Sequence, residues 1–344
     1  IQDGSLNQMS VFDALDEYPL PKESGTGTKL VRAENVLVGF HQRNTTSIYV
    51  GEEFINTRDA NQFLAKTEGV IGDDRKYVGE YGTIYPESVA VYNDNVYFWD
   101  IFKGEVCRRT REGIYPVSRY GMKTHFYNLS RSYLPYKDSI KIIGGYDPFY
   151  DMYLITFPAV GSLLGETWGF HEPSNSWALQ LDYPGVDRYS RLLKRLIAFK
   201  NGDVWIHNNT TLYNNFFGVQ YDRELRFNVV PAGSKVKVFA NIRLDADSME
   251  VDAAVDEVIM GIYTGKNQFT DIYNFNLKEV EGVFTGAIYR DRNTEGFDNP
   301  DEAKYQGEVM RGQVAEVRIY NRRTDASPLH FVTLLYSISE TSFV

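Results

Sequence analysis

Residues 95–118, NVYFWDIFKGEVCRRTREGIYPVS, place three β-type runs and two tight turns in one short stretch. Residues 96–101 are aromatic and β-branched, and Phe102-Lys103-Gly104 follows as a turn in which glycine supplies a positive φ. Residues 105–110 form a second run, Arg111-Glu112-Gly113 a second turn, and residues 114–117 a third run. Strand, tight turn, strand, tight turn, strand is the layout of one propeller blade, or of any meander of that size.

The same texture extends on both sides. Residues 87–92 alternate as a strand leading in, and residues 152–157 form another. Residues 166–171 and 177–181 flank the polar loop Glu172–Ser176 as a longer hairpin. Residues 196–199 and 204–207 flank Lys200-Asn201-Gly202, whose Asn-Gly pair favours a type I′ turn. Trp99, Trp168, Trp177 and Trp205 recur in these units, but the spacing is too irregular for a strict repeat. Residues 29–39 and 46–55 also read as strands. Two windows read as helix: residues 57–66, capped by Asp59 or Asn61, and residues 120–134, where Met122, Phe126, Leu129 and Tyr133 recur at helical spacing before Pro135. After Gly218 the strands lengthen, at 224–230, 235–244, 258–263, 273–280, 283–289, 313–320 and 331–338, the pattern of a β-sandwich. Residues 331–338, FVTLLYSI, alternate poorly and read as a strand buried on both faces or central in a sheet, reached from 313–320 by a hairpin.

The expected fold is therefore mainly β. Residues 1–28 form an arm or linker, with continuity across 24–28 left open. Residues 29–217 form a propeller-like meander of β-hairpins with a few short helices, and residues 218–344 a β-sandwich. Composition agrees: of 344 residues, 43% are hydrophobic and 15% aromatic, which favours packed strands. The net charge of −10 argues against a general nucleic-acid binder, whose affinity comes from Lys and Arg on phosphates. The single cysteine, Cys107, excludes an internal disulfide and a cysteine-rich zinc site. No apolar run approaches the roughly 18 residues that cross a bilayer as a helix. The chain opens on Ile1 without a signal-like pattern, which suggests that residues precede it.

Taken in order, the segments NVYFWDIFKGEVCRRTREGIYPVS, GMKTHF, ETWGFHEPSNSWALQL, LIAFKNGDVWIHN, YNNFFGVQY, SKVKVFANI, EGVFTGAIYRDRNTEG and MRGQVAEVRIYN resemble the tail nozzle proteins of short-tailed bacteriophages, also called tail stabilisation or tubular proteins, in their crAss-like form. The resemblance runs from about Val70 to the end and leaves residues 1–69 unmatched. It implies a virion component of the phage tail, a structural subunit of the nozzle or ring of the DNA-delivery conduit. The implied partners are copies of itself, six by analogy, other tail or portal-adaptor proteins, and transiently the passing DNA. It implies no catalytic residues and no cofactor.

His41, His125, His171, His207 and His330 are scattered, and none has H-x-x-x-H spacing. Nucleophile-elbow, phosphate-loop and dinucleotide fingerprints are absent from the sequence. Glu166 and Glu172, beside Trp168 and Trp177, would suit a two-carboxylate glycosidase cleft, so a carbohydrate-binding or glycoside-hydrolysing propeller is the alternative. Turn glutamates and core tryptophans account for the same residues and are the stronger reading. Asp291, Asn293, Glu295 and Glu302, with the Phe297 carbonyl, have the spacing of a calcium loop. Glu at the fifth position, Asp298 where an apolar residue normally packs and Pro300 inside the loop favour a solvated acidic loop instead.

Overall fold

The computed structural model describes residues 22–338 except 57–61, 182, 184, 210, 211, 213, 214, 222, 231, 234, 247–258, 266, 273–276, 298 and 322–328. The chain is mainly β and divides into two compact units, Ile1–Asn208 and Asn209–Val344. The division falls nine residues before the boundary at Gly218 expected from the sequence (218 − 209 = 9).

The first unit is a succession of four antiparallel up-and-down sheets. Sheet 1 holds β1 (Gly27–Ala33), β2 (Val36–His41), β3 (Thr45–Asn56) and β4 (Gln62–Lys76). Sheet 2 holds β5 (Ala90–Tyr92), β6 (Asn95–Asp100), β7 (Glu105–Thr110) and β8 (Gly113–Pro116). After helix α1 (Lys123–Tyr133), sheet 3 holds β9 (Ile143–Asp147), β10 (Met152–Phe157), β11 (Glu166–His171) and β12 (Ser176–Leu181). Sheet 4 holds β13 (Arg188–Leu192), β14 (Arg195–Lys200) and β15 (Asp203–Ile206). The β14–β15 turn has Asn201 at φ 55° and Gly202 at φ 86°, the two positive values of a type I′ turn.

Strand β6 shows how the sheets stack. Its side chains alternate between two apolar neighbours, so both faces are buried. Val96 and Phe98 join a core with Val38 and Phe40 of sheet 1, with Phe40 and Phe98 edge-to-face at 4.9 Å. Tyr97 and Trp99 join a second core with Tyr153 and Phe157 of sheet 3, with Tyr97 stacked on Tyr153 at 4.9 Å. Sheet 3 meets sheet 4 through the Tyr189 hydroxyl, 2.9 Å from Thr156 Oγ1.

The first strands come closest together. On β9, a Cβ on Gly144 would overlap the Ser88 carbonyl before β5, and one on Gly145 would overlap Tyr189 of β13. Only glycine permits that approach on both faces of one strand. Lys29 of β1 donates to the Pro86 carbonyl at 2.6 Å and the Val89 carbonyl at 3.2 Å. Helix α1 buries Phe126 and Tyr133 against the aromatic core. It crosses the β6–β7 turn at Gly104, whose φ of 66° and lack of a side chain admit Tyr127 and Ser130.

In the second unit, β16 (Asn215–Phe216) and β17 (Val219–Gln220) form a small hairpin. Sheet 5 is ordered β18–β25–β20–β21, from β18 (Arg223–Val229), β20 (Ile259–Thr264), β21 (Phe269–Ile272) and β25 (Ala315–Asn321). Sheet 6 is built on β19 (Lys237–Ala246), which pairs with β23 (Val283–Ala287) and briefly β24 (Arg311–Gly312), and also with β26 (Leu329–Ile338). Strand β22 (Lys278–Val280) pairs outside β23. The two sheets share one core, with Phe239, Ile242, Leu244 and Leu334 meeting Ala315, Val317 and Ile319. Helix α2 (Pro300–Gln306) lies between β23 and β24 in sequence.

Four expectations are corrected. The helix at 57–66 fails where it is described, because residues 62–66 open β4 and pair with β3 from Asn56↔Gln62 to Glu52↔Lys66; residues 57–61 lie outside the described set. A long cross-strand ladder satisfies that backbone in place of helical bonds. Strand 331–338 does not pair with 313–320. It pairs with β19, while β25 lies between β18 and β20. It is half-exposed at Phe331 and Tyr336 and not buried on both faces. Sheet 1 begins at Gly27, inside the expected arm. Strands β9, β13 and β21 were not anticipated, since IGGYD, RYSRL and FTDI are short and lack a clear apolar alternation.

Candidate functional site

The feature of the first unit that most invites a partner is the outer face of sheet 4. Cross-strand register puts Ser190, Ile197 and Ile206 in one rung and Arg188, Phe199 and Val204 in another. The alternate residues Tyr189, Leu196 and Ala198 are buried. Because side chains alternate across a strand, Ile197, Phe199, Val204 and Ile206 share the opposite face. Leu192, Val204 and Ile206 are 62%, 60% and 45% exposed. Leu192, Leu193, Ile197 and Ile206 line a concavity of about 540 Å³, rimmed by Lys194 and Arg195. Leu193 holds a turn at φ 55°, a conformation disfavoured for leucine, and is 86% exposed. Several large apolar groups side by side on one uncovered sheet face are the composition of a contact surface.

Glu166 and Glu172 do not form a pair. They stand at opposite ends of β11, six residue steps or roughly 20 Å apart along an extended strand. Two glycosidase carboxylates need to be about 5–9.5 Å apart. Each has its own partner instead. Glu166 Oε1 lies 3.0 Å from His125 Nε2 on α1. Glu172 accepts from Tyr97 at 2.6 Å and Arg108 at 2.6 Å, with Asn95 Nδ2 at 3.3 Å.

The tryptophans pack mostly as core. Trp99 is fully buried against Phe157 at 5.1 Å. Trp168 and Trp177 are half-buried against the same core, and the Trp177 indole donates to the Val117 carbonyl at 3.1 Å. Trp205 is half-buried on β15. Cys107 is buried in sheet 2, and burial pushes its thiol well above its ordinary pKa.

In the Asp291–Glu302 candidate, one oxygen of the first carboxylate is engaged by backbone amides. Asp291 is buried, and its Oδ1 accepts from the Phe269 amide at 2.9 Å and the Asn293 amide at 3.0 Å. Asn293 Nδ2 donates to the Asn267 carbonyl at 3.0 Å. Glu295 is exposed, and Glu302 belongs to α2. The loop therefore folds on an aspartate turn that bonds its own backbone. Among the described residues, no three His, Cys, Asp or Glu side chains gather as metal ligands.

Asp100 and His207 sit in surroundings that shift their titration, which the sequence does not signal. Asp100, at the end of β6, accepts from the amides of Gly82, Phe102 and Lys103 at 3.1, 2.9 and 3.1 Å. Burial nonetheless raises its pKa to about 6. His207, just past β15, packs edge-to-face on Tyr183 at 5.1 Å, and burial lowers its pKa to about 4. An acid beside a hairpin glycine is the one local signal that could have flagged Asp100.

Comparison with known proteins adds no identity: no family model matches the chain, and no curated protein matches it.

Proposed function

We propose that the chain is a non-enzymatic structural subunit of a bacteriophage tail, one copy of a homo-oligomeric ring in the nozzle of the DNA-delivery conduit of a virion. In this reading the four stacked sheets are blades of an open, propeller-like unit, and the C-terminal unit is a β-sandwich. The observation that carries it is the uncovered apolar face of sheet 4. Sheets 1, 2 and 3 each bury a face on the sheet that follows, whereas sheet 4 ends the stack with Leu192, Ile197, Phe199, Val204 and Ile206 on its outer side. A face that differs from the surface it meets makes a head-to-tail contact, and such contacts close into rings when the rotation allows. The resemblance noted in the sequence suggests six copies, with portal-adaptor or other tail proteins above and below and DNA passing transiently. The separation of Glu166 from Glu172 supports a scaffold over a hydrolase.

Native mass measurement and electron microscopy of the purified protein and its parent particle test this reading. Rings are expected, and Phe199→Glu with Ile206→Glu should leave a folded monomer. A wild-type chain that stays monomeric at high concentration and joins no particle would overturn it.

A further inference from the structure

The outer face of sheet 6, in the C-terminal unit, carries a ladder of polar side chains across four strands. Register places Lys278 of β22 opposite Thr285 of β23, Thr285 opposite Arg243 of β19, and Arg243 opposite Thr333 of β26. The alternate residues Ile242, Leu244 and Leu334 enter the core, so this rung faces away from it. Lys278, Arg243 and Thr333 are exposed and Thr285 is half-buried. Neither Lys278 nor Arg243 has an ion-pair partner among the described residues. Their strands lie two spacings apart, which sets the two Cα atoms roughly 9–10 Å apart.

One end of the rung is walled. A groove of about 400 Å³ is lined by Asn241, Lys278, Thr285 and two tyrosines, Tyr289 and Tyr305. The rings meet edge-to-face at 5.6 Å, and Lys304 Nζ sits 4.2 Å from the Tyr289 ring centre. Tyr305, on α2, is 64% exposed, although its edge is held in place.

We infer that this face binds an acidic polysaccharide, laid across the strands with its carboxylates on Arg243 and Lys278 and one ring against Tyr305. The chemistry matches that ligand at each point. Two separated cations suit carboxylates spaced along a chain. The Asn241 amide and the Thr285 and Thr333 hydroxyls both donate and accept, as neighbouring sugar hydroxyls require. An exposed tyrosine whose edge is anchored offers a flat apolar platform to the C–H face of a pyranose. A nucleic acid fits less well, because a duplex carries one phosphate per roughly 1.7 Å of axis and calls for more cations than the two on this rung. The face lies wholly in the C-terminal unit and is independent of the ring proposed above.

Titration of the full chain with tetragalacturonate, with maltotetraose as the neutral control and a DNA duplex of equal charge as competitor, decides it. Tetragalacturonate should bind at least tenfold more tightly than maltotetraose. Arg243→Ala and Lys278→Ala should each weaken it about tenfold. Tyr305→Ala should weaken both sugars, and since all three side chains are exposed the variants should melt with the wild type. Equal affinity for charged and neutral sugars, unchanged binding in the variants, or duplex DNA preferred over tetragalacturonate at the same residues would overturn the inference.

Discussion

The hydroxyl of Tyr97 on β6 donates to Glu172 Oε2, just beyond the end of β11, at 2.6 Å, tying sheet 2 to sheet 3. Arg108 of β7 reaches the other carboxylate oxygen at 2.6 Å, so one half-buried carboxylate gathers a phenol and a guanidinium. Burial, then the Glu172 hydrogen bond, keeps the phenol protonated far above its ordinary range. Removing the carboxylate leaves Arg108 and Tyr97 without their shared acceptor. Glu172→Ala is expected to cost about 1–3 kcal/mol in urea unfolding. Tyr97→Phe should cost less, since the carboxylate keeps Arg108.

The glycine pair on β9 has a steeper prediction. Gly145→Ala drives a methyl group into the Tyr189 side chain, and Gly144→Ala into the Ser88 carbonyl. Neither neighbour is the free end of a flexible side chain. Each variant should lose about 1–3 kcal/mol or more through overpacking. Gly202→Ala, with open space at its Cβ but φ 86°, should lose only about 1 kcal/mol of backbone strain. Denaturant midpoints for the three variants rank the two causes.

Asp100 makes stability fall as pH rises. Its folded pKa of about 6 exceeds the ordinary aspartate value of 3.8, so the folded protein holds this proton more tightly than the unfolded chain. The contribution is complete below about pH 4 and is lost as pH climbs through 6, up to roughly 3 kcal/mol at 1.36 kcal/mol per pKa unit. Asp100→Asn should flatten that slope. Its amide would face the Gly82 N–H, so at pH 4 the variant should be less stable than wild type by about 1–3 kcal/mol. Unfolding curves of both proteins from pH 4 to 7 check the crossing.

His207 works in the opposite direction. Burial lowers its pKa from 6.5 to about 4, so the folded protein favours the neutral ring. Stability from this residue is complete above pH 6.5 and drains as pH falls through 4, by up to roughly 3 kcal/mol. His207→Phe, which keeps a ring against Tyr183, should remove the acid-side loss. Thermal melts of both proteins at pH 7 and pH 4.5 should show wild type losing stability relative to the variant on acidification, the Asp100 contribution being common to the two.

Much of the first unit was legible because its determinants are local. The Asn201-Gly202 turn, the Gly104 turn and the two-faced apolar run of β6 are set by φ preferences and alternation within a few residues. Helix α1 was likewise marked by Met122, Phe126, Leu129 and Tyr133. What the sequence could not decide was which strand lies beside which. Backbone N–H and C=O groups are alike in every strand, so β26 pairs with β19 across a long stretch of chain instead of with its neighbour β25, and only the packed core selects that order. The same holds for sites. IGGYD reads as an unremarkable loop until Ser88 and Tyr189 close on its glycines, and Lys278, Thr285, Arg243 and Thr333 form one surface only after four strands align their register. Turns are chosen by the residues within them, whereas faces are assembled from residues that only tertiary contact brings together.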